Sequence, residues 1–429
     1  MKQFVTILML FLGLSSAQAQ QPREEILKVC NWDEYIGQGL IEEFEKWYKE
    51  QTGRPIKVEY ETFDFPEEGL ARIHGVDNDY DVFCTPEYLV ERMLRYHLLQ
   101  KIDTSFTQKG IPNWMNGTSP FIDNLLQHIG EMEEVNMKEY TVGYLWGTTG
   151  VLFNTKYVKP EDVESWGFML NPKYKNKVVM KDSHSDIYNI FINYAKFDEI
   201  EKGTITRNLL ASGLTNENIA LVEDLLRQAR PQMKTFEVDD DKRLMSDGSN
   251  WLCVTWNGDA KWAIEDAKEG VNLQFLIPKE GSDCWVDCWV IPSCAQNAEA
   301  ASYWINFLCK SENALRCMKE TGYSSAVGTP EILAAMKDDR FKETTDLSYF
   351  FGPEASAVHI DATMYLDRSI IERCSLLRDS GDRQQVMREI WERIKQIRQP
   401  VLWPYIAGGC VLILLLIAAI LQRRKKRKR

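Results

Sequence analysis

The sequence predicts an α/β protein of two lobes, each built on a mostly parallel sheet flanked by helices. Three observations predict it. A β-α-β-α-β alternation opens at Ile26, and a second α/β series runs over residues 177–277. Strand-like segments at 144–154 and 285–291 bracket that second series, as expected where a chain crosses to another lobe and back. The 429 residues exceed one compact domain and suffice for two buried cores.

The elements follow in order. Residues 26–30 form an apolar run that reads as a buried strand. Leu40, Ile41, Phe44, Trp47 and Tyr48 then recur at helical spacing until Gly53 stops the helix. Residues 56–61 read as a strand, 66–75 as a helix opened by acidic residues, 80–84 as a strand and 87–96 as a helix. The second series comprises a strand at 177–180, helices near 187–195, 204–212 and 217–229, a strand at 252–256, a helix at 259–268 and a strand at 271–277. Helices at 297–309, 311–321 and 382–397 complete the body. The expected division is 26–142 with 285–325 in lobe 1, and 143–284 with 326–397 in lobe 2.

The ends suggest export. Lys2, an apolar run from Phe4 to Leu14 and the small-x-small Ala17-Gln18-Ala19 read as a signal peptide over residues 1–19. No Cys follows that run, which argues against an N-terminal lipid anchor. Residues 401–421 carry no charge and, at about 1.5 Å per residue, would span roughly 32 Å as a transmembrane helix. Residues 422–429 then read as a basic cytoplasmic tail, the positive-inside side of the membrane, rather than a nucleic-acid patch. Setting aside its seven basic residues and Lys2 takes the formal charge from −12 to about −20, which favours cationic partners over nucleic acid. Of the ten cysteines, Cys284 and Cys288 lack a second pair or a nearby His for a metal site. Cys30 and Cys84 end two predicted strands, so either one disulfide or buried free thiols fit.

In an open α/β sheet, ligands bind at the carboxyl ends of the strands. Asn31 to Tyr35 and Thr85 to Tyr88 fall there. So do three aromatic–acid clusters: Trp32-Asp33-Glu34-Tyr35, Trp256-Asn257-Gly258-Asp259 and Trp285-Val286-Asp287. A Trp beside an Asp is ordinarily a core ring next to a loop cap, and Gly258 reads as a turn before a helix. Three such clusters in one body point elsewhere. A diamine needs separated carboxylates for its ammonium groups and aromatic walls for its methylenes.

The chain resembles the spermidine/putrescine-binding proteins of ABC polyamine importers, among the type II periplasmic binding proteins. The resemblance spans roughly residues 27–395. It rests on Asn31-Trp32-Asp33-Glu34-Tyr35, Tyr80-Asp81-Val82, Gln100-Lys101-Ile102-Asp103, Tyr144-Leu145-Trp146-Gly147-Thr148-Thr149-Gly150, Trp256-Asn257-Gly258, Pro278-Lys279-Glu280-Gly281, Trp285-Val286-Asp287 and Thr321-Gly322-Tyr323. It implies a two-lobed clamp that closes on its ligand in the interlobe cleft and delivers it to the permease subunits of an ABC importer. Trp32, Asp33, Glu34, Tyr35, Tyr88 and Tyr323 match the family's contacts on the first lobe and hinge. Asp186, Trp256, Trp285 and Asp287 match the rest, with Asp287 expected to hold an ammonium at the deep end. Ser183 stands where spermidine-preferring members carry an acid, and Asp259 supplies an acid as putrescine-preferring members do, which tilts the expectation to putrescine. Leu377 replaces a polar amide, and Gly143 replaces a proline of the hinge strand.

Other chemistries lack their motifs. The five His residues are scattered, and His184, inside the site segment, reads as a surface residue at a helix start. No nucleophile elbow, P-loop or dinucleotide fingerprint occurs. The expectation is therefore a binding protein that is not an enzyme, with no cofactor and no metal, exported and anchored in the cytoplasmic membrane by the C-terminal helix. The alternatives are the same clamp holding another organic cation such as a thiamine-like one, a membrane-tethered sensor, or a carboxylate-dependent glycosidase with Trp platforms. The tail is too short for a signalling domain, and acids without Arg in the site segments disfavour an anionic ligand.

Overall fold

The computed structural model describes residues 22–75, 79–238 and 240–397. The chain divides into two compact units. Unit 1 runs to Gly147 and resumes over Trp285–Arg368; unit 2 takes Thr148–Cys284 and the chain from Ser369.

In unit 1 the strand Ile26–Trp32 pairs in parallel with Lys57–Phe63 and with Val82–Pro86. The last of these runs antiparallel to the second half of Ser282–Pro292, with Asp287 opposite Pro86. The helix Leu40–Thr52 buries Leu40, Phe44 and Tyr48, one face at helical spacing. It ends at Gly53, whose φ of 72° is open to glycine without strain. Phe44 meets Trp304 of the helix Ala298–Leu308 edge-on at 5.0 Å. Asp81 is fully buried and is satisfied by the Arg23 guanidinium at 2.9 Å and the backbone N–H groups of Lys28, Gln296 and Asn297.

In unit 2 the strand Val178–Lys181 pairs in parallel with Met233–Glu237 and Leu252–Trp256. Leu252–Trp256 and Leu273–Leu276 both run antiparallel to residues 149–154. The helices His184–Ala195, Asn216–Ala229 and Asp382–Gln396 pack Ile187, Phe191, Leu226 and Trp391 into one core. Trp391 donates from Nε1 to Asp182 at 2.6 Å, and Lys395 pairs with the same carboxylate at 2.8 Å.

The two long strands are Thr141–Asn154 and Ser282–Pro292, and the chain changes unit within each. Residues 326–368, expected in the second lobe, belong to unit 1. Ser324–Ser325 pairs with Leu145 and Trp146, Trp146 stacks on Phe350 at 5.4 Å, and Ser119 donates to the Phe350 carbonyl. Gly258 lies in the first turn of the helix Asn257–Glu265, where any residue's φ would serve, rather than in a turn before it. Among the described residues none of the nine cysteines forms a disulfide, and burial pushes the Cys30 thiol up to about 12.

The expected C-terminal transmembrane helix requires correction. Among the described residues no helix is long and apolar enough to cross a membrane. Asp382–Gln396, the longest of them at 15 residues, reaches only about 22 Å and is rich in charge. Residues 401–421, on which that expectation fell, lie outside the described residues, as do the signal peptide and the basic tail. The architecture that stands for the described residues is the two-unit α/β body, and no membrane helix is among its elements.

Candidate functional site

Unit 1 gathers its candidates around one carboxyl group. Asp287 sits in the strand Ser282–Pro292 and is 4% exposed. Tyr35 donates its hydroxyl to one Asp287 oxygen at 2.8 Å, and Trp32 donates Nε1 to the other at 3.2 Å. Trp32 ends its strand, and a turn with Glu34 at φ 48° returns the chain so that Tyr35 faces the same carboxyl. The Tyr35 ring is held edge-on by Tyr144 and Tyr323, each at 5.7 Å, and its carbonyl accepts from Tyr144 and Asn31. Trp285 meets Tyr323 at 5.3 Å, and Trp32 packs on Phe63 at 4.9 Å. Four further rings, those of Phe63, Tyr144, Trp285 and Tyr323, thus pack around the two donors of Asp287.

Burial raises the Asp287 carboxyl to about 7, against the opposing pull of the Tyr35 and Trp32 hydrogen bonds. No lysine or arginine of the described residues contributes to that balance. A buried carboxyl without a cation is a receptor for one. Asp33 and Glu34 lie in the exposed turn after Trp32. Tyr88 is buried at the start of the helix Glu87–Arg95 and donates its hydroxyl to Glu67 at 3.1 Å.

In unit 2 the strand ends Lys181 and Trp256 and the helix His184–Ala195 bring Ser183, Asp186 and Trp256 together. Asp186 is buried and accepts Trp256 Nε1 at 2.7 Å. Burial raises its carboxyl, while hydrogen bonds from Trp256, Ser183 and Thr149 and the charge of Lys181 pull it down. Asp259 is placed differently. It faces Lys181, whose Nζ is 2.5 Å from Asp259 Oδ2 and 3.2 Å from Asp241 Oδ2. Leu377 is buried in the same unit, next to the strand Cys374–Leu376 that pairs with residues 282–284.

Three polar residues of these clusters were not anticipated from the sequence: Lys181, Asp241 and Asp283. Asp283 is fully buried, accepts the Thr149 hydroxyl at 3.1 Å, and is raised far above the usual carboxylate range by burial and by the neighbouring Asp186. Two of them carried a signal, since Lys181 closes an otherwise apolar strand and Asp283 is the second residue of another. Among the described residues no group of three or more His, Cys, Asp or Glu side chains is placed to hold a metal ion.

The family model described as "Bacterial extracellular solute-binding protein" matches residues 39–343. The spermidine/putrescine-binding periplasmic protein of Salmonella typhimurium is 28% identical over 393 residues, covering 90% of this chain and 95% of its own length. A putrescine-binding periplasmic protein of Pseudomonas aeruginosa is 27% identical, covering 79% of this chain and 89% of its own. Among solved structures, a spermidine/putrescine ABC transporter substrate-binding protein of Streptococcus pneumoniae superimposes with a TM-score of 0.64 at 23% identity, over 87% of this chain and all of the other. These relatives are binding proteins rather than enzymes. Because the match over residues 39–343 covers more than half of the chain, the chain belongs to the bacterial extracellular solute-binding protein family.

Proposed function

We propose that this protein captures a polyamine, putrescine or spermidine, outside the cytoplasm, holds it in an interlobe cleft, and delivers it to the permease subunits of an ABC importer. The observation that carries the reading is Asp287. It is a buried carboxyl fixed by Tyr35 and Trp32, walled by aromatic rings, and without a basic partner among the described residues. A protonated amine replaces the missing counter-charge, and the rings cover the methylenes that follow it. Trp32, Asp33, Glu34, Tyr35, Tyr88, Trp285 and Tyr323 belong to the proposed contacts in unit 1, with Ser183, Asp186 and Trp256 in unit 2. The preference for putrescine rests on Ser183 and Asp259. Because Asp259 has an ion-pair partner of its own, the proposal is made for polyamines as a class. The names of the relatives support the class.

Titration calorimetry of the purified chain with putrescine and spermidine tests the reading. Asp287→Asn keeps the shape and removes the charge, so it is expected to weaken binding by about 3 kcal/mol, on the order of 100-fold. A parent chain that binds neither amine, or an Asp287→Asn chain that binds both as the parent does, would remove the basis of the proposal.

A further inference from the structure

Lys181 ends the strand Val178–Lys181 with its side chain fully buried. Its Nζ donates to Asp259 at 2.5 Å, to Asp241 at 3.2 Å and to the Val238 carbonyl, and it lies 4.1 Å from the centroid of the Trp256 ring. Two carboxylates, a carbonyl oxygen and an aromatic face are the surroundings that a guest ammonium requires. Here the chain supplies the ammonium itself. Lys242 stands 4.0 Å from the other Asp259 oxygen and adds a second positive charge to the same acid. Thr255 donates its hydroxyl to Asp241, which completes the setting.

This arrangement differs from that of Asp287, which faces two neutral donors. Burial opposes the Lys181 charge, but the carboxylates of Asp241 and Asp259 outweigh it, so the ammonium is held protonated. A guest amine would reach Asp259 only by displacing a fully buried lysine, which would then need another counter-charge. One face of Trp256 is occupied in the same way, while its Nε1 is committed to Asp186.

We propose that Lys181 is a specificity-determining residue: its ammonium fills the cation position between Asp241, Asp259 and the face of Trp256, so a polyamine bound by this chain pairs no ammonium with Asp259. The unit 2 carboxyl beside Trp256 that remains for a guest is Asp186. This inference rests on the polyamine reading for its consequence, and on the geometry of Lys181 alone for its cause.

Two measurements test it. In the first, Asp259→Asn is titrated with putrescine and spermidine. Lys181 keeps Asp241 as its partner, and affinity is expected to stay within about threefold of the parent, against the loss on the order of 100-fold for Asp287→Asn. A loss for Asp259→Asn comparable to that of Asp287→Asn would make Asp259 a ligand contact and overturn the proposal. In the second, Lys181→Ala is melted with and without n-propylammonium, whose three carbons and ammonium match the Cγ, Cδ, Cε and Nζ that the truncation removes. The ion is expected to raise the melting temperature of this variant well above the effect of potassium chloride at equal ionic strength, and to leave the parent unmoved. An equal response of variant and parent would overturn the proposal. Lys181→Ala combined with Asp259→Asn leaves only Asp241 to neutralise and serves where the single variant does not fold. The propylammonium arm involves no polyamine, so failure of the polyamine reading and failure of the Lys181 assignment give different results.

Discussion

At the scale of single residues, Asp287 makes the site sensitive to pH. Its carboxyl stands at about 7 in the folded chain, above the roughly 3.9 of an unfolded aspartate. The folded state therefore holds the proton more tightly. The resulting stability is fully present below about pH 4 and is lost as pH rises through 7, a change of about 4 kcal/mol. Ligand capture runs the opposite way, because an ammonium needs the ionised carboxylate. The polyamine dissociation constant is expected to be about tenfold larger at pH 6 than at pH 8, as the competent fraction of Asp287 falls. Calorimetry across that range checks it, and Asp287→Asn should flatten the profile. The residue types around Asp287 were legible in the sequence as aromatic–acid clusters. The pairing of Tyr35 with a carboxyl 252 residues away was not, because only folding brings those strands together. The same long-range pairing hides the partner of Lys181, so Asp259 read as an acid awaiting a guest.

At the scale of elements, the strands with a clear apolar pattern announce themselves, and the short polar strand Met233–Glu237 does not. Ile26–Trp32 and Val82–Pro86 are apolar runs closed by turn residues, and the sequence shows both. Met233–Glu237, absent from the expectation, has Val178–Lys181 on one side only and keeps Lys234, Thr235 and Glu237 in its short run. The helix Pro120–Met132, also absent from it, carries its own signals: the Ser119 cap on Phe121, Pro120 at the first position, and Ile122, Leu126 and Ile129 on one buried face. Entry into the long strand Ser282–Pro292 depends on Gly281, whose φ is 85°. A Cβ there would stand 1.9 Å from the Arg373 carbonyl oxygen. Gly281→Ala is expected to lower stability by about 2 kcal/mol or more. Gly203→Ala, at φ 69° with open space around it, should lower it by only about 1 kcal/mol. Urea midpoints of the two variants compare them directly.

At the scale of the molecule, the two-lobed α/β class was legible from the alternation of elements and the two long strands. The placement of residues 326–368 was not, because it depends on Ser324–Ser325 joining Leu145 and Trp146 and on Phe350 stacking against Trp146. A binding protein also gains stability with its ligand. Putrescine or spermidine at 100 times its dissociation constant should add about 2.7 kcal/mol to the folded state. A thermal-shift series should then show a rise of about 3 °C for a chain of this size. Polyamine-independent melting would contradict the proposed function.

The chain enters unit 2 within one strand and leaves it within another, so unit 1 is written in two pieces with the first piece of unit 2 between them, and the chain from Ser369 completes unit 2. Asp287 lies three residues into the second piece, on the strand that docks against Val82–Pro86. A nascent chain halted before Trp285 therefore lacks both the strand that completes the first sheet and the carboxyl that Tyr35 and Trp32 await. Competence to hold a cation at that position arrives with the second piece of unit 1, after residues 148–284 of unit 2 have been synthesised and before the chain from Ser369 completes that unit.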